Sequence, residues 1–134
     1  MLFRSQSIFG EVGSVAGDVA QDLRESGPLW ALIVFAALIA VGAPIVEEIA
    51  FRGLLFNSLR KKGLGPIATI AITAVAFAVI HLEPLRLLIL LPIGIAYGWV
   101  RWKTGSLGSA IVAHTANNFP VVLVLLIGVP EVTP

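Results

Sequence analysis

The chain contains no cysteine, which excludes a disulfide framework, a thiolate nucleophile and a Cys-type zinc site. Charge is scarce as well. Asp, Glu, Lys and Arg make up 13% of the 134 residues and nearly cancel, to a formal net charge of +1. The basic residues fall into two short clusters, Arg60-Lys61-Lys62 and Arg101-Trp102-Lys103, each at the end of an apolar run. That placement suits membrane topology and excludes a polyanion-binding surface, so no nucleic acid partner is expected. No serine stands in a nucleophile-elbow context, so a covalent acyl-enzyme has no evident candidate. No His-Glu-x-x-His is present. Residues 1–27 lack the sustained apolar core and small-residue cleavage site of a secretory signal.

What the chain has in abundance is hydrophobic sequence, 57% of all residues, which places it among membrane proteins. One compact, all-α domain is expected, a polytopic bundle of about four transmembrane helices preceded by an amphipathic segment over residues 1–27. In that segment Ile8, Val12, Val15, Val19 and Leu23 recur at helical spacing, with Glu11, Asp18, Asp22 and Glu25 opposite; such a helix lies at the interface or against the bundle. The core then occupies residues 28–134. Its first apolar run extends from Leu29 to Val46, and helix-compatible sequence continues to about Arg60, too long for a hydrocarbon layer of ~30 Å without tilt, kink or protrusion. Gly42 and Pro44 offer the kink. Lys61-Lys62-Gly63-Leu64-Gly65-Pro66 reads as a turn. The remaining runs are Ile67 to Leu82, Leu85 to Trp99 and Leu107 to Ile127, with Tyr97, Trp99 and Trp102 forming an aromatic belt. Four crossings put both basic clusters on one side, the cytoplasmic one by the positive-inside rule. An integral protein of the bacterial cytoplasmic membrane is expected.

A few ionisable and amide side chains interrupt this apolar sequence, where they are expensive and functional by default. Glu48 and Arg52 are four apart and share a helical face, whereas Glu47 points about a quarter-turn away. Arg52 is therefore expected to pair with Glu48 and leave Glu47 as a general base. Alternatively, all three hold helices together through polar contacts. His81 stands four residues after Phe77 near a helix end, where an interfacial or capping role competes with catalysis. His114 and Asn118 are again four apart and can present donors to one point, as an oxyanion site or as an interhelical hydrogen-bond cluster. Asn117 faces another helix. A zinc site at Glu47, His81 and His114 is the competing arrangement.

Together, Glu47-Glu48-x-x-x-Arg52, then Phe77-x-x-x-His81, then His114-x-x-x-Asn118, each on its own apolar run, resemble the CAAX protease and bacteriocin-processing (CPBP, Abi) family of intramembrane proteases. The likeness spans roughly Pro44 to Phe119 and extends to Phe51-Arg52-Gly53 and Gly105-Ser106-Leu107. The resemblance implies that Glu47 and His81 activate the attacking water, that His114 and Asn118 form the oxyanion hole, and that Glu48 and Arg52 support them. It implies a glutamate-based endopeptidase needing no cofactor, although the family was long suspected of metal dependence. It also implies a peptide or protein substrate, lipidated or membrane-embedded, as in members related to the Ras-converting endopeptidase that cut prenylated CAAX proteins. Full-length relatives carry further helices before the first motif, so this chain is expected to be a minimal or fragmentary version. Two other functions fit the same residues. One is a non-enzymatic immunity or scaffolding protein that retains them as a polar core; the other is proton-coupled transport, which lacks the usual inverted repeats.

Overall fold

The computed structural model describes residues 15–82 and 84–127, and every regular element among them is helical. Helix α1 spans Val15–Ser26 and α2 spans Leu29–Lys61. Helix α3 is Pro66–Ile80. A 3-10 turn at Pro84–Arg86 leads to α4, Leu87–Thr104, and α5 is Leu107–Ile127. The four apolar runs thus become α2 to α5. Of these, α2 and α5 are long and apolar enough to cross a bilayer. Helix α3, with 15 residues, rises about 22 Å at 1.5 Å per residue, short of the ~30 Å hydrocarbon layer. Helix α4 continues past Trp99 into Arg101 and Lys103, which occupy its last turn.

The outer surface is apolar. Trp30, Val46, Leu54, Ile67, Leu88, Val112 and Ile127 are all exposed, a contiguous greasy exterior that water does not tolerate and lipid does. In α1 the acids Asp18, Asp22 and Glu25 face outward as expected, but the inner face is turned relative to the sequence reading. Ala20 is fully buried while Val19 is exposed, because the close approach to α2 and α5 selects the smallest side chain. Ile8, Glu11 and Val12 lie outside the described residues.

Proline and the polar motif leave their mark on α2. The helix carries two π-helical stretches, Leu38–Gly42 and Ile49–Leu55. The first ends two residues before Pro44. A proline ring collides with the carbonyl four residues earlier and has no N–H to donate; widening the preceding turn relieves both, and Ala43 N–H reaches back to Leu38 O. The two stretches bracket Ala43–Glu48, the segment that holds both glutamates.

Carbonyls in these widened turns find donors on other helices. Asn118 Nδ2 of α5 donates to Ile39 O at 3.0 Å. From α4, Arg101 Nε donates to Arg52 O at 3.1 Å and Arg101 Nη2 to Asn57 Oδ1 at 3.1 Å, with the guanidinium 5.5 Å from the Phe56 ring centroid. The Arg101 contacts place the C-terminal ends of α2 and α4 at one level, so both basic clusters share a side.

Two apolar clusters flank the glutamate segment. Ala36, Ala40 and Val122 form one with Ile39 and Leu126; Phe51, Phe77 and Tyr97 form the other with Leu55, Leu90 and Ile93. The second depends on α4 lying close against α3. A Cβ at Gly94 would sit 3.1 Å from Ala74 Cα and 3.2 Å from Phe77 Cδ1, so any side chain there would press α4 away from α3 by a few tenths of an ångström. Helix α3 ends at His81, after which Leu82 adopts φ 54°, a left-handed conformation that costs a non-glycine residue about 1–2 kcal/mol.

Gly94→Ala is expected to lower stability by about 1–3 kcal/mol, because the methyl meets backbone. Gly98→Ala meets only Ile70 side-chain carbons and should cost less. Thermal midpoints of both variants in one detergent check the ranking, and equal midpoints would count against a close α3–α4 contact.

Candidate active site

At the centre of the helices is a buried ionic cluster. Arg52 and Glu48 are both completely inaccessible, yet the guanidinium is held on several sides. Nη1 donates to Glu48 Oε1 at 2.9 Å and Nη2 donates to Gly94 O at 2.7 Å. The ring of Phe77 lies 4.7 Å from the guanidinium carbon and that of Tyr97 5.4 Å, close enough for cation–π attraction in a desolvated setting. Arg52 Nε and Glu48 Oε2 are buried without a hydrogen-bond partner among the described residues.

Glu48 Oε1 accepts a second hydrogen bond, from His114 Nδ1 of α5 at 3.0 Å. A carboxylate and a guanidinium leave no ambiguity of role, so the imidazole proton is on Nδ1. Nε2 then points the other way, 3.7 Å from Glu47 Oε2. Glu47 is 29% exposed where Glu48 is fully buried. The two adjacent acids therefore have different surroundings, one committed to Arg52 and His114, the other at the edge of the cluster.

His81 sits at the end of α3, half-buried, its ring 4.9 Å from that of Phe77. Its Nδ1 donates to Phe77 O at 2.7 Å. Since a carbonyl only accepts, the neutral ring keeps a lone pair on Nε2. His81 closes its apolar run whereas Glu47 lies within its own. Helices α2 and α3 form an antiparallel hairpin in which the Phe51 and Phe77 rings meet edge to face at 5.7 Å. Glu47 lies four before Phe51 and His81 four after Phe77, so in the antiparallel pair both lie on the same side of that contact. On α5, Leu107 lies against Gly53, which brings His114, two turns on, level with Glu47.

His114 and Asn118 each commit one nitrogen to a different partner on α2. His114 turns Nδ1 to Glu48, whereas Asn118 spends one N–H on Ile39 O. The amide keeps a second N–H; His114 Nε2 can donate only when the ring carries both protons. Glu48 and Glu47 address opposite nitrogens of His114, and among the described residues no group of three His, Asp or Glu side chains converges as a ligand set.

Tyr97 is the residue that sequence reasoning misplaced. Its ring is buried and stacks on His114 at 4.6 Å with 25° between the planes, rather than joining Trp99 and Trp102 in an aromatic belt. The available signal was local. Gly94, Tyr97 and Gly98 occupy one helical face, and a face that carries two glycines is one that another helix approaches. Asn117 of α5 approaches the Tyr97 hydroxyl without making a hydrogen bond, consistent with its expected direction toward another helix.

Removal of one partner from the buried pair leaves an uncompensated charge. Arg52→Leu is expected to cost about 3–5 kcal/mol, and Glu48→Gln in the same chain should recover part of it because no lone carboxylate remains. Thermal midpoints of the single and double variants test this, with a double variant less stable than Arg52→Leu contradicting it.

The comparison with protein families agrees with this arrangement of motifs. No match was found among curated proteins or solved structures. A family model described as type II CAAX prenyl endopeptidase Rce1-like matches residues 28–120, from the start of α2 to the turn of α5 just beyond Asn118 and well over half of the chain. Because that match contains all three motifs and the helices that carry them, the chain belongs to the Rce1-like family of membrane-embedded CAAX-type proteases.

Proposed function

We propose that this protein is an intramembrane endopeptidase that hydrolyses a peptide bond with a water activated by Glu47 and His81. The observation that carries the reading is the division between the glutamates. Arg52 and His114 occupy Glu48, while Glu47 remains partly exposed beside His114 Nε2. A carboxylate in that position can take a proton from water. His81, with Nδ1 tied to Phe77 O, offers Nε2 as a second acceptor for the same water and holds its lone pairs toward the scissile carbonyl.

Attack by the water oxygen on the carbonyl carbon forms a C–O bond, and its proton passes to Glu47. The negative charge that develops on the former carbonyl oxygen is met by the free N–H of Asn118 and by His114, whose Nε2 shares the proton that Glu47 has just taken from the water. Collapse of the tetrahedral intermediate breaks the C–N bond, and the proton held by Glu47 is returned to the leaving amine. The reaction as written uses no metal. Glu48 and Arg52 hold His114 and the glutamate segment in place.

In this reading all of α2 to α5 cross or nearly cross the bacterial cytoplasmic membrane, residues 28–134 form the protease core, and the Arg60–Lys62 and Arg101–Lys103 ends face the cytoplasm. The apolar exterior supports a lipidated or membrane-embedded protein substrate.

Purified protein in nanodiscs, incubated with a farnesylated CAAX peptide and with the unmodified peptide, provides the test. Glu47→Gln is expected to reduce cleavage by about 10²–10⁴-fold, the range of a lost general base. Retention of cleavage within about threefold would remove Glu47 from the mechanism. An absence of cleavage of either peptide by the unmodified protein would favour the immunity or scaffolding reading.

A further inference from the structure

The His114 imidazole is enclosed by two aromatic rings. Tyr97 covers one face in parallel contact at 4.6 Å and 25°, and the Phe77 ring meets it edge to face at 5.6 Å and 80°. Tyr97 and Phe77 are themselves 6.1 Å apart at 78°, so the three rings form one packed unit. An imidazole can rotate about its last side-chain torsion, which is broad and roughly two-fold. Rotation out of the present plane would take Nδ1 away from Glu48 and Nε2 away from Glu47, and the bond to Glu48 chooses between the two settings that share the plane. The hydrogen bond to Glu48 opposes that rotation at one atom, whereas a flat ring stacked on the imidazole opposes it over the whole plane.

We propose that Tyr97 is the positioning residue of the site: its ring fixes the plane of His114 so that Nδ1 faces Glu48 and Nε2 faces Glu47. The stacked ring does this through its shape, since the Tyr97 hydroxyl is buried and makes no hydrogen bond among the described residues. Helix α4 supplies the ring from the right distance because Gly94 and Gly98, on the same face, let it close on α3. The Gly94 carbonyl holds Arg52 and Arg52 holds Glu48, so one face of α4 controls both partners of the His114–Glu48 bond. The kinetic consequence rests on the hydrolase reading; the orientation of the ring does not.

Tyr97→Phe keeps the flat ring and Tyr97→Met fills the space without one. The chain has only two histidines, so His81→Gln leaves a single imidazole for ¹⁵N labelling and nitrogen NMR in micelles. In that background, Tyr97 and Tyr97→Phe are expected to give the well-separated pair of nitrogen shifts of one Nδ1–H tautomer, and Tyr97→Met shifts that move toward each other as both tautomers populate. With His81 intact and the farnesylated peptide as probe, Tyr97→Phe should stay within about threefold in kcat. Tyr97→Met should lose roughly 10–100-fold in kcat with little change in KM, the scale of a misplaced catalytic group. Unaltered nitrogen shifts in Tyr97→Met would overturn the proposal. So would altered shifts in Tyr97→Phe, which holds even if the methionine variant does not fold. If the unmodified protein cleaves nothing, the hydrolase reading fails and the NMR result still decides the role of Tyr97.

Discussion

Arg52 is the group on which the arrangement depends. A guanidinium with no solvent exposure is tolerable only where donors and charge are met from several directions, and here the partners come from separate elements. Glu48 answers from its own helix, Gly94 from α4, and the rings of Phe77 and Tyr97 from α3 and α4. Each of those helices is consequently fixed in rotation and height relative to α2. Through Glu48 the constraint passes on to α5, because His114 bonds to the carboxylate oxygen that Arg52 holds. Four helices that pack mainly through small and apolar side chains gain much of their register from a single cation.

The widened turns of α2 contribute a second constraint. A regular helix presents residues at fixed angular steps, and two π-helical stretches around a six-residue α-helical segment allow that segment its own rotational setting. The freed carbonyls then have to be met, and the donors are Asn118 and Arg101. Asn118 therefore serves the architecture, and in the proposed reaction the chemistry as well. Its amide has two N–H groups, and the one on Ile39 O orients the other.

Much of the site was legible in the sequence because polar residues in an apolar chain stand out. The Glu48–Arg52 pair followed from four-residue spacing, and the burial that makes it strong followed from its greasy neighbours. Three things were not legible. The Phe51–Phe77 contact, which puts His81 and Glu47 on the same side of it, is a tertiary register that no single run encodes. The separate commitments of His114 and Asn118 depend on partners on α2, one of them a carbonyl freed by a backbone irregularity. Tyr97 was misassigned because tyrosine beside tryptophans and basic residues near a helix end is the usual composition of a membrane interface; the glycines three before and one after it decide otherwise. Among the helices, the four apolar runs emerged as helices, but their unequal lengths separate α2 and α5, which meet the length and hydropathy of a full span, from the shorter α3.

The brevity of α3 has a consequence for the surrounding lipid. A helix of 15 residues is about 8 Å shorter than an average hydrocarbon layer, and such a mismatch is met by local thinning of the bilayer or by snorkelling of the flanking residues. In the proposed four-crossing arrangement, with Pro66 anchored at the basic end, the deficit would fall at the opposite end, where His81 is. Headgroups and their water would be drawn inward there, toward the depth proposed for catalysis. The length of one helix would then supply a hydrated indentation to a chemistry that consumes water.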